Sequence, residues 1–420
     1  MSEELLYYIW QQKLFNTHRL KTTQGEDLSI IHCGIRNHDA GPDFTQAKIR
    51  INGDLLAGNV EIHVRSSDWK KHKHQSDRAY SNVILHVVYD DEMKSDSACT
   101  LPTLELKDKI ELQFLSRYRQ LMASSSWIPC ESQIARVDEF IIKSGLHRIL
   151  IERLEQKTGD IIGRFRQNKN NWEETFYQIT ARNFGLKINA DTFDLLAKSL
   201  PLGIIARHKN SLAQIEALVF GQAGMLHKTF NDDYPRSLKK EYLFLKKKYN
   251  LEPLQPHLWK FMRLRPPGFP TIRLAQFSML LHSSTHLFSK MLDAESARQI
   301  AGLFRCEPSS YWLNHYRFDT ASKNIRKPVG EDFIQTLIIN AVIPMMFIYG
   351  KSKGNSVIQD KALNFLEQLS SEKNAIISKW RSLGIKSGSA FESQALLQLK
   401  NQYCSHKRCL DCFVGNQILR

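Results

Sequence analysis

The sequence predicts an α+β fold in two domains: a mixed sheet with flanking helices in residues 1–125, then a large all-α domain in residues 126–420. Three observations predict it. Two strand-like runs flank Asn52-Gly53, a dipeptide that favours a two-residue hairpin turn because both positions tolerate positive φ. After about residue 110 the period-2 alternation gives way to helical spacing and helix punctuation. The chain's 420 residues also exceed what a single hydrophobic core usually supports.

The elements follow in order. Residues 4–15 carry apolar side chains at helical spacing. Leu28 to His32 is β-branched and apolar, Ala47 to Ile51 alternates, and Leu56 to Val64 returns after the Asn52-Gly53 turn. Ser67-Asp68 can cap a short polar helix running to Tyr80. Val83 to Tyr89 is a near-continuous apolar run, as in a strand buried on both faces, and Leu104 to Leu106 suggests one more strand. Helices are then expected over 138–155, 172–184, 191–200, 212–226, 234–249, 271–292, 294–304, 331–348, 360–369, 375–383 and 390–402. The break Arg265-Pro266-Pro267-Gly268-Phe269-Pro270 divides this half, and no repeat of fixed period stands out.

Composition narrows the class. Hydrophobic content of 42% and charged content of 24% exclude large-scale disorder. Lys and Arg number 58 against 43 Asp and Glu, a net +15 that favours a polyanionic partner, most simply nucleic acid. The acidic Met1-Ser2-Glu3-Glu4 start is unlike a secretory signal. The apolar run Phe333 to Tyr349 is interrupted by Gln335, Thr336, Asn340 and Pro344, so it reads as a buried, Pro-kinked helix and no membrane partner is expected. Seven cysteines, three of them crowded near the C-terminus, point to the cytoplasm and a ligand cluster. Oligomeric state is not legible.

The candidate catalytic residues lie around the hairpin. Asp43 closes Gly41-Pro42-Asp43-Phe44, and Glu61 and His63 share one face of the returning strand. Folding the hairpin brings Asp43 near Glu61, because paired strands lie about 5 Å apart. Two carboxylates there would hold Mg²⁺ or Mn²⁺, and His63 would position or deprotonate water. The plainer alternative is a turn-forming Asp and a solvated strand face.

Pro42-Asp43, the hairpin and Glu61-Ile62-His63 resemble the restriction-endonuclease-like nucleases, whose pattern is Pro-Asp, a hairpin, then Asp/Glu-x-Lys. The resemblance covers about the first 110 residues and implies a nuclease-like core and metal-dependent hydrolysis of DNA or RNA. His63 stands where that family has lysine, and a histidine does not supply a permanent cation. Glu4 occupies the place of a further acidic residue in many relatives. Over nearly its full length the chain also resembles a bacterial family of uncharacterised proteins, through Ala40-Gly41-Pro42-Asp43-Phe44, Glu61-Ile62-His63-Val64, Gln214 to Gly224 and the terminal cysteines.

Two further constellations remain. Arg65, Lys70, Lys71 and Lys73 are candidate phosphate contacts beside His63, His72, His74 and His86, although a wet, positive helix explains them equally. On a continuous helix His72 and His74 would point to different sides, so both ligating one metal is not expected. Cys404-x4-Cys409-x2-Cys412 can bind Zn²⁺ or an iron–sulfur cluster, with Cys130 or Cys306 as a distant fourth ligand or His406 completing a zinc site. Basic and aromatic residues around Trp259 to Arg273 suit either a nucleic-acid track or an amphipathic surface. The expected activity is metal-dependent nucleic-acid hydrolysis. A catalytically inactive nucleic-acid-binding scaffold is the first alternative, and a small-molecule metalloenzyme using His63, His74 and His86 the second.

Overall fold

The computed structural model describes residues 1–92 and 101–420, so Cys99 lies outside the described residues. The protein is α+β, with a mixed sheet near its N-terminus followed by a long helical region. It divides into two compact units, Met1–Gly145 with Lys400–Arg420, and Leu146–Leu399. The sequence reading divides the chain at residue 125; the first unit runs on to Gly145 and takes in the last residues as well.

In the first unit, α1 (Glu3–Gln11) is capped by the Ser2 hydroxyl, which accepts from Leu5 N–H at 3.3 Å. Its apolar face, with Leu5, Leu6, Ile9 and Trp10 all buried, packs on the sheet. The strands are β1 (Leu28–His32), β2 (Ile35–Arg36), β3 (Phe44–Ile51), β4 (Asp54–Arg65), β5 (Val83–Asp90) and β6 (Thr103–Glu105). They run in the order β1-β3-β4-β5-β6, with β2 pairing β3. β1, β3 and β4 are antiparallel, whereas β5 lies parallel to β4 and β6 parallel to β5. The hairpin turn forms as expected, with Asn52 and Gly53 at φ of +48° and +100° and Ile51 opposite Asp54. The short β2 pairing was not legible in the sequence.

The crossover from β4 to β5 departs from expectation. Instead of one helix to Tyr80, α2 spans only Asp68–Lys71, and two 3₁₀ turns follow at His74–Ser76 and Arg78–Tyr80. No residue of α2 is buried, so nothing packs it into a longer helix, and Lys73 turns left-handed at φ +60°. Beyond the sheet lie α3 (Leu112–Ala123) and α4 (Glu139–Gln167). The final helix, Phe413–Leu419, packs on α3 and is tied to α1 by the Tyr8 hydroxyl, which donates to Asn416 Oδ1 at 2.7 Å. Gly145 leaves room for the Phe413 ring, since a Cβ there would come within 2.3 Å of it.

The second unit is almost wholly helical, and most of its helices fall within a few residues of their expected spans. Two differ. The helix expected over 271–292 breaks between Ser283 and Leu287, where the Ser283 and Ser284 hydroxyls donate back to Met279 and Leu280 carbonyls and His286 adopts φ +53°. The helix from Glu331 to Ser352 widens into a π turn at Ile338–Val342, because Pro344 offers no N–H and its ring presses on the carbonyl of Asn340. That helix is long and apolar enough to cross a membrane, but 78% of its most apolar window is buried in the protein, as in a core helix.

Glu216 sits in this core, where the Ser309 hydroxyl donates to its Oε1 at 2.7 Å. Burial pushes its carboxyl up to about 7 despite that donor. A carboxyl raised in the folded state favours unfolding increasingly as pH climbs from its ordinary value to about 7, and by a constant amount above that. Glu216→Gln is therefore expected to raise the thermal midpoint by a few degrees at about pH 8 and to leave it unchanged at about pH 4. Calorimetry at the two pH values checks this, and an equal shift at both would refute it.

Candidate metal centre

The hairpin register aligns Phe44 with Val60, which sets Asp43 beside Glu61 and Ile62. The two acids are latched reciprocally. Ile62 N–H donates to Asp43 Oδ2 at 2.9 Å, and Asp43 N–H donates to Glu61 Oε2 at 3.1 Å. The other Glu61 oxygen, Oε1, faces two imidazoles, with His63 Nε2 at 3.6 Å and His74 Nε2 at 3.4 Å. His63, His72 and His74 bring one ring nitrogen each to within 4.8 Å of one another.

The left-handed Lys73 explains this convergence and corrects the sequence reading. With α2 ending at Lys71, His72 and His74 no longer follow helical geometry and fold back toward the same point. His86, from the register position opposite Glu61, lies behind the group. Its Nε2 is 2.9 Å from His63 Nδ1, so the imidazole set is His63, His72 and His74 rather than His63, His74 and His86. With the proton on Nδ1 shared toward His86, the Nε2 lone pair of His63 is directed at Glu61.

Electrostatics favour a bound cation. Burial, with His86, His74 and His72 crowded around it, holds His63 down to about 3. Burial and then neighbouring His74 hold His86 down to about 3. Both are therefore neutral at ordinary pH and able to coordinate. Burial and then the charge on Asp43 push Glu61 up to about 8, against the Asp43 N–H that pulls it down. Asp43 is also raised by burial, opposed by Ile62 N–H, the Tyr7 hydroxyl and Arg36. His74 Nε2 is buried with no hydrogen-bond partner. The two distances from Glu61 Oε1, 3.6 and 3.4 Å, match the roughly 3.3–3.6 Å between donors of a tetrahedral site with bonds of about 2.0–2.2 Å. Two raised carboxylates, neutral imidazoles and an unpartnered ring nitrogen fit a divalent ion, and this nitrogen-rich set suits Mn²⁺ or Zn²⁺ better than Mg²⁺.

Several residues of the site were missed in the sequence. Tyr7 bonds Asp43, and the Arg36 guanidinium lies 3.4 Å from the centre of the Tyr7 ring with Nη1 buried and without a hydrogen-bond partner. Tyr80 stacks on His74 at 3.9 Å. Glu3, not Glu4, is the α1 acid whose charge reaches Asp43 and Glu61, while Glu4 is exposed. A cleft of 630 Å³ opens beside His74, lined among others by Trp69, Lys70, Arg78 and Tyr80. Arg65, Lys70, Lys71 and Lys73 are all exposed; Arg65 lies 3.4 Å from Glu92 and Lys71 3.8 Å from Asp68.

The cysteines form a second group. Cys130, Cys404, Cys409 and Cys412 all belong to the first unit. Burial pushes Cys130 and Cys409 up to about 12, and the charges of neighbouring thiols add to it: Cys412 and Cys409 act on Cys130, and Cys412 on Cys409. Cys404 is raised by burial and then by Cys412, Cys130 and Cys409. Cys130, Cys404 and Cys409 thus each lie within electrostatic reach of Cys412. Cys306 does not join them; its thiol donates to the Gln276 carbonyl in the second unit.

Over residues 3–375 the chain matches a family described as protein of unknown function (DUF2851). No curated protein and no solved structure matches it.

Proposed function

The chain belongs to the DUF2851 family, whose description carries no activity, and from its own residues we propose a metal-dependent nuclease that hydrolyses DNA or RNA phosphodiesters. One observation carries the reading: Glu61 Oε1 is faced by His63 and His74 Nε2 at 3.6 and 3.4 Å, with Asp43 latched beside it. Asp43, Glu61, His63 and His74 would hold Mn²⁺ or Zn²⁺, or more weakly Mg²⁺. A cation bound there would supply a Lewis acid to the phosphate and lower the pKa of nearby water.

The chain's own groups take the remaining roles. His86 fixes the His63 ring, so His63 serves as a ligand rather than a free base. His72, exposed at the rim of the cluster, is left to orient or deprotonate water. Arg36 offers, from β2, the permanent charge that His63 cannot. Lys70, Lys71, Lys73 and Arg65 give exposed positive charge for a phosphate backbone. The strand sequence of hairpin, crossover and parallel β5 agrees with the order expected of a restriction-endonuclease-like core.

The same reading assigns Cys130, Cys404, Cys409 and Cys412 to a structural Zn²⁺ or iron–sulfur cluster, supported by a soft-ligand set of free thiols that lie within electrostatic reach of Cys412 in one unit. Free thiols of this kind belong in a reducing setting such as the cytoplasm.

The test is cleavage of a panel of single- and double-stranded DNA and RNA by the full chain. Cleavage is expected with Mn²⁺ or Zn²⁺, weaker with Mg²⁺ and absent in EDTA. Binding without cleavage under every metal would replace the nuclease with an inactive nucleic-acid scaffold.

A further inference from the structure

The second unit contains a cleft of 1100 Å³ whose chemistry the metal centre does not use. Five cationic side chains line it, Lys187, Lys228, Lys260, Arg263 and Arg317, and no Asp or Glu does. All five are exposed. Asp319 faces Lys228, but its carboxylate accepts from Asn231 and Asp232 N–H at 3.1 and 3.0 Å. The cleft is also apolar in places, because Met262 is 83% exposed within it and Ile188 39%. The Arg317 guanidinium lies 4.7 Å from the centre of the Phe261 ring and 4.9 Å from that of Phe269, and the two rings meet edge to face at 73°, so charge and rings form one cation–π platform.

The wall that carries these groups is held in place. Asn189 Nδ2 donates to the Lys260 carbonyl at 3.0 Å, and Lys260 N–H donates to Asn189 Oδ1 at 2.9 Å. Trp259 Nε1 donates to the Ala223 carbonyl at 2.7 Å, and Thr192 to the Leu258 carbonyl at 3.1 Å. Arg263 then turns left-handed at φ +62°, in a segment that presents Lys260, Met262 and itself to solvent. Rigid backbone under mobile cations is the arrangement that lowers the ordering cost of binding.

We propose that this cleft binds single-stranded nucleic acid, its phosphates on the five cations and a base against the Phe261–Arg317 platform and Met262. Charge alone would equally suit a duplex or another polyanion. The exposed apolar and aromatic surface favours a single strand over a duplex, because a single strand has unpaired bases free to stack there and a duplex does not.

The measurement is fluorescence anisotropy of a labelled oligothymidylate of about 15 nucleotides on the full chain carrying Glu61→Ala, so that no cleavage intervenes. Lys260→Glu with Arg263→Glu should weaken binding at least about tenfold and flatten the salt dependence by about one to two phosphate contacts. Phe261→Ala should weaken the single strand but not a duplex of the same sequence. Unchanged affinity in the double variant, with its melting midpoint preserved, overturns the proposal, as does equal loss for single strand and duplex in Phe261→Ala. If the double variant does not fold, Lys260→Ala and Arg317→Ala carry the same comparison. Because binding is read without turnover, its outcome is independent of whether the metal centre hydrolyses anything.

Discussion

Glu61→Ala is expected to strip the ion from the histidine–carboxylate site and to lower kcat/KM for phosphodiester cleavage by about 10³-fold or more. Glu61 is the only carboxylate whose oxygen is described as facing both His63 and His74, so its loss opens the donor set on the side opposite the imidazoles. It also leaves Asp43 N–H without its acceptor, while Ile62 N–H still holds the Asp43 carboxylate in register across the hairpin. Glu61→Gln keeps an oxygen for that N–H while removing the charge, and should retain the fold with nearly the same loss of cleavage. Metal content by elemental analysis, taken with the rate, distinguishes the two contributions. The cysteine-bound metal should remain in both variants. Cleavage at the wild-type rate in Glu61→Ala would end the nuclease reading.

Cys404→Ser combined with Cys412→Ser should remove the second metal and lower the thermal midpoint of the first unit by roughly 6–12 °C, the equivalent of about 3 kcal/mol at 2–4 °C per kcal/mol. The metal's binding energy is folding energy here, because thiols raised to about 12 by burial, as in Cys130 and Cys409, would give up their protons only to a cation. The Tyr8–Asn416 hydrogen bond and the Phe413 ring against Gly145 would still hold the segment weakly. Limited proteolysis should therefore cut within residues 400–420 of the variant at a concentration that spares the wild type. An unaltered metal content in the double variant would show that the thiols hold no metal.

The hairpin was legible because its signals are local: Asn52-Gly53 dictates the turn, the turn dictates register, and register sets Asp43 beside Glu61. The crowding of the terminal thiols was legible from residue type and spacing, whereas spacing left Cys130 and Cys306 equally open as a distant partner, and only Cys130 lies in the same unit as the terminal cysteines. The convergence of His72 and His74 was not, because it depends on a lysine in a left-handed conformation that no glycine or asparagine advertises. Tyr7 and Arg36 reach Asp43 from a helix and from a two-residue strand, and no spacing within the sequence relates them. The exchange of Glu3 for Glu4 has the same origin: one residue along a helix turns a side chain by about 100°, and the sequence does not fix that rotation. The helix break at Ser283 was hidden for another reason, since serine hydroxyls that bond back to carbonyls leave no mark in apolar periodicity.

The first unit is sewn shut by residues 400–420, more than two hundred positions after its own Gly145. During synthesis on a ribosome, the hairpin bearing Asp43 and Glu61 emerges early but must wait for the whole second unit to be translated before Cys404, Cys409 and Cys412 arrive. A nascent chain cut short anywhere in that interval carries the acids and histidines without the closing segment. Completion of the half that carries the histidine cluster thereby waits until the second unit has been translated.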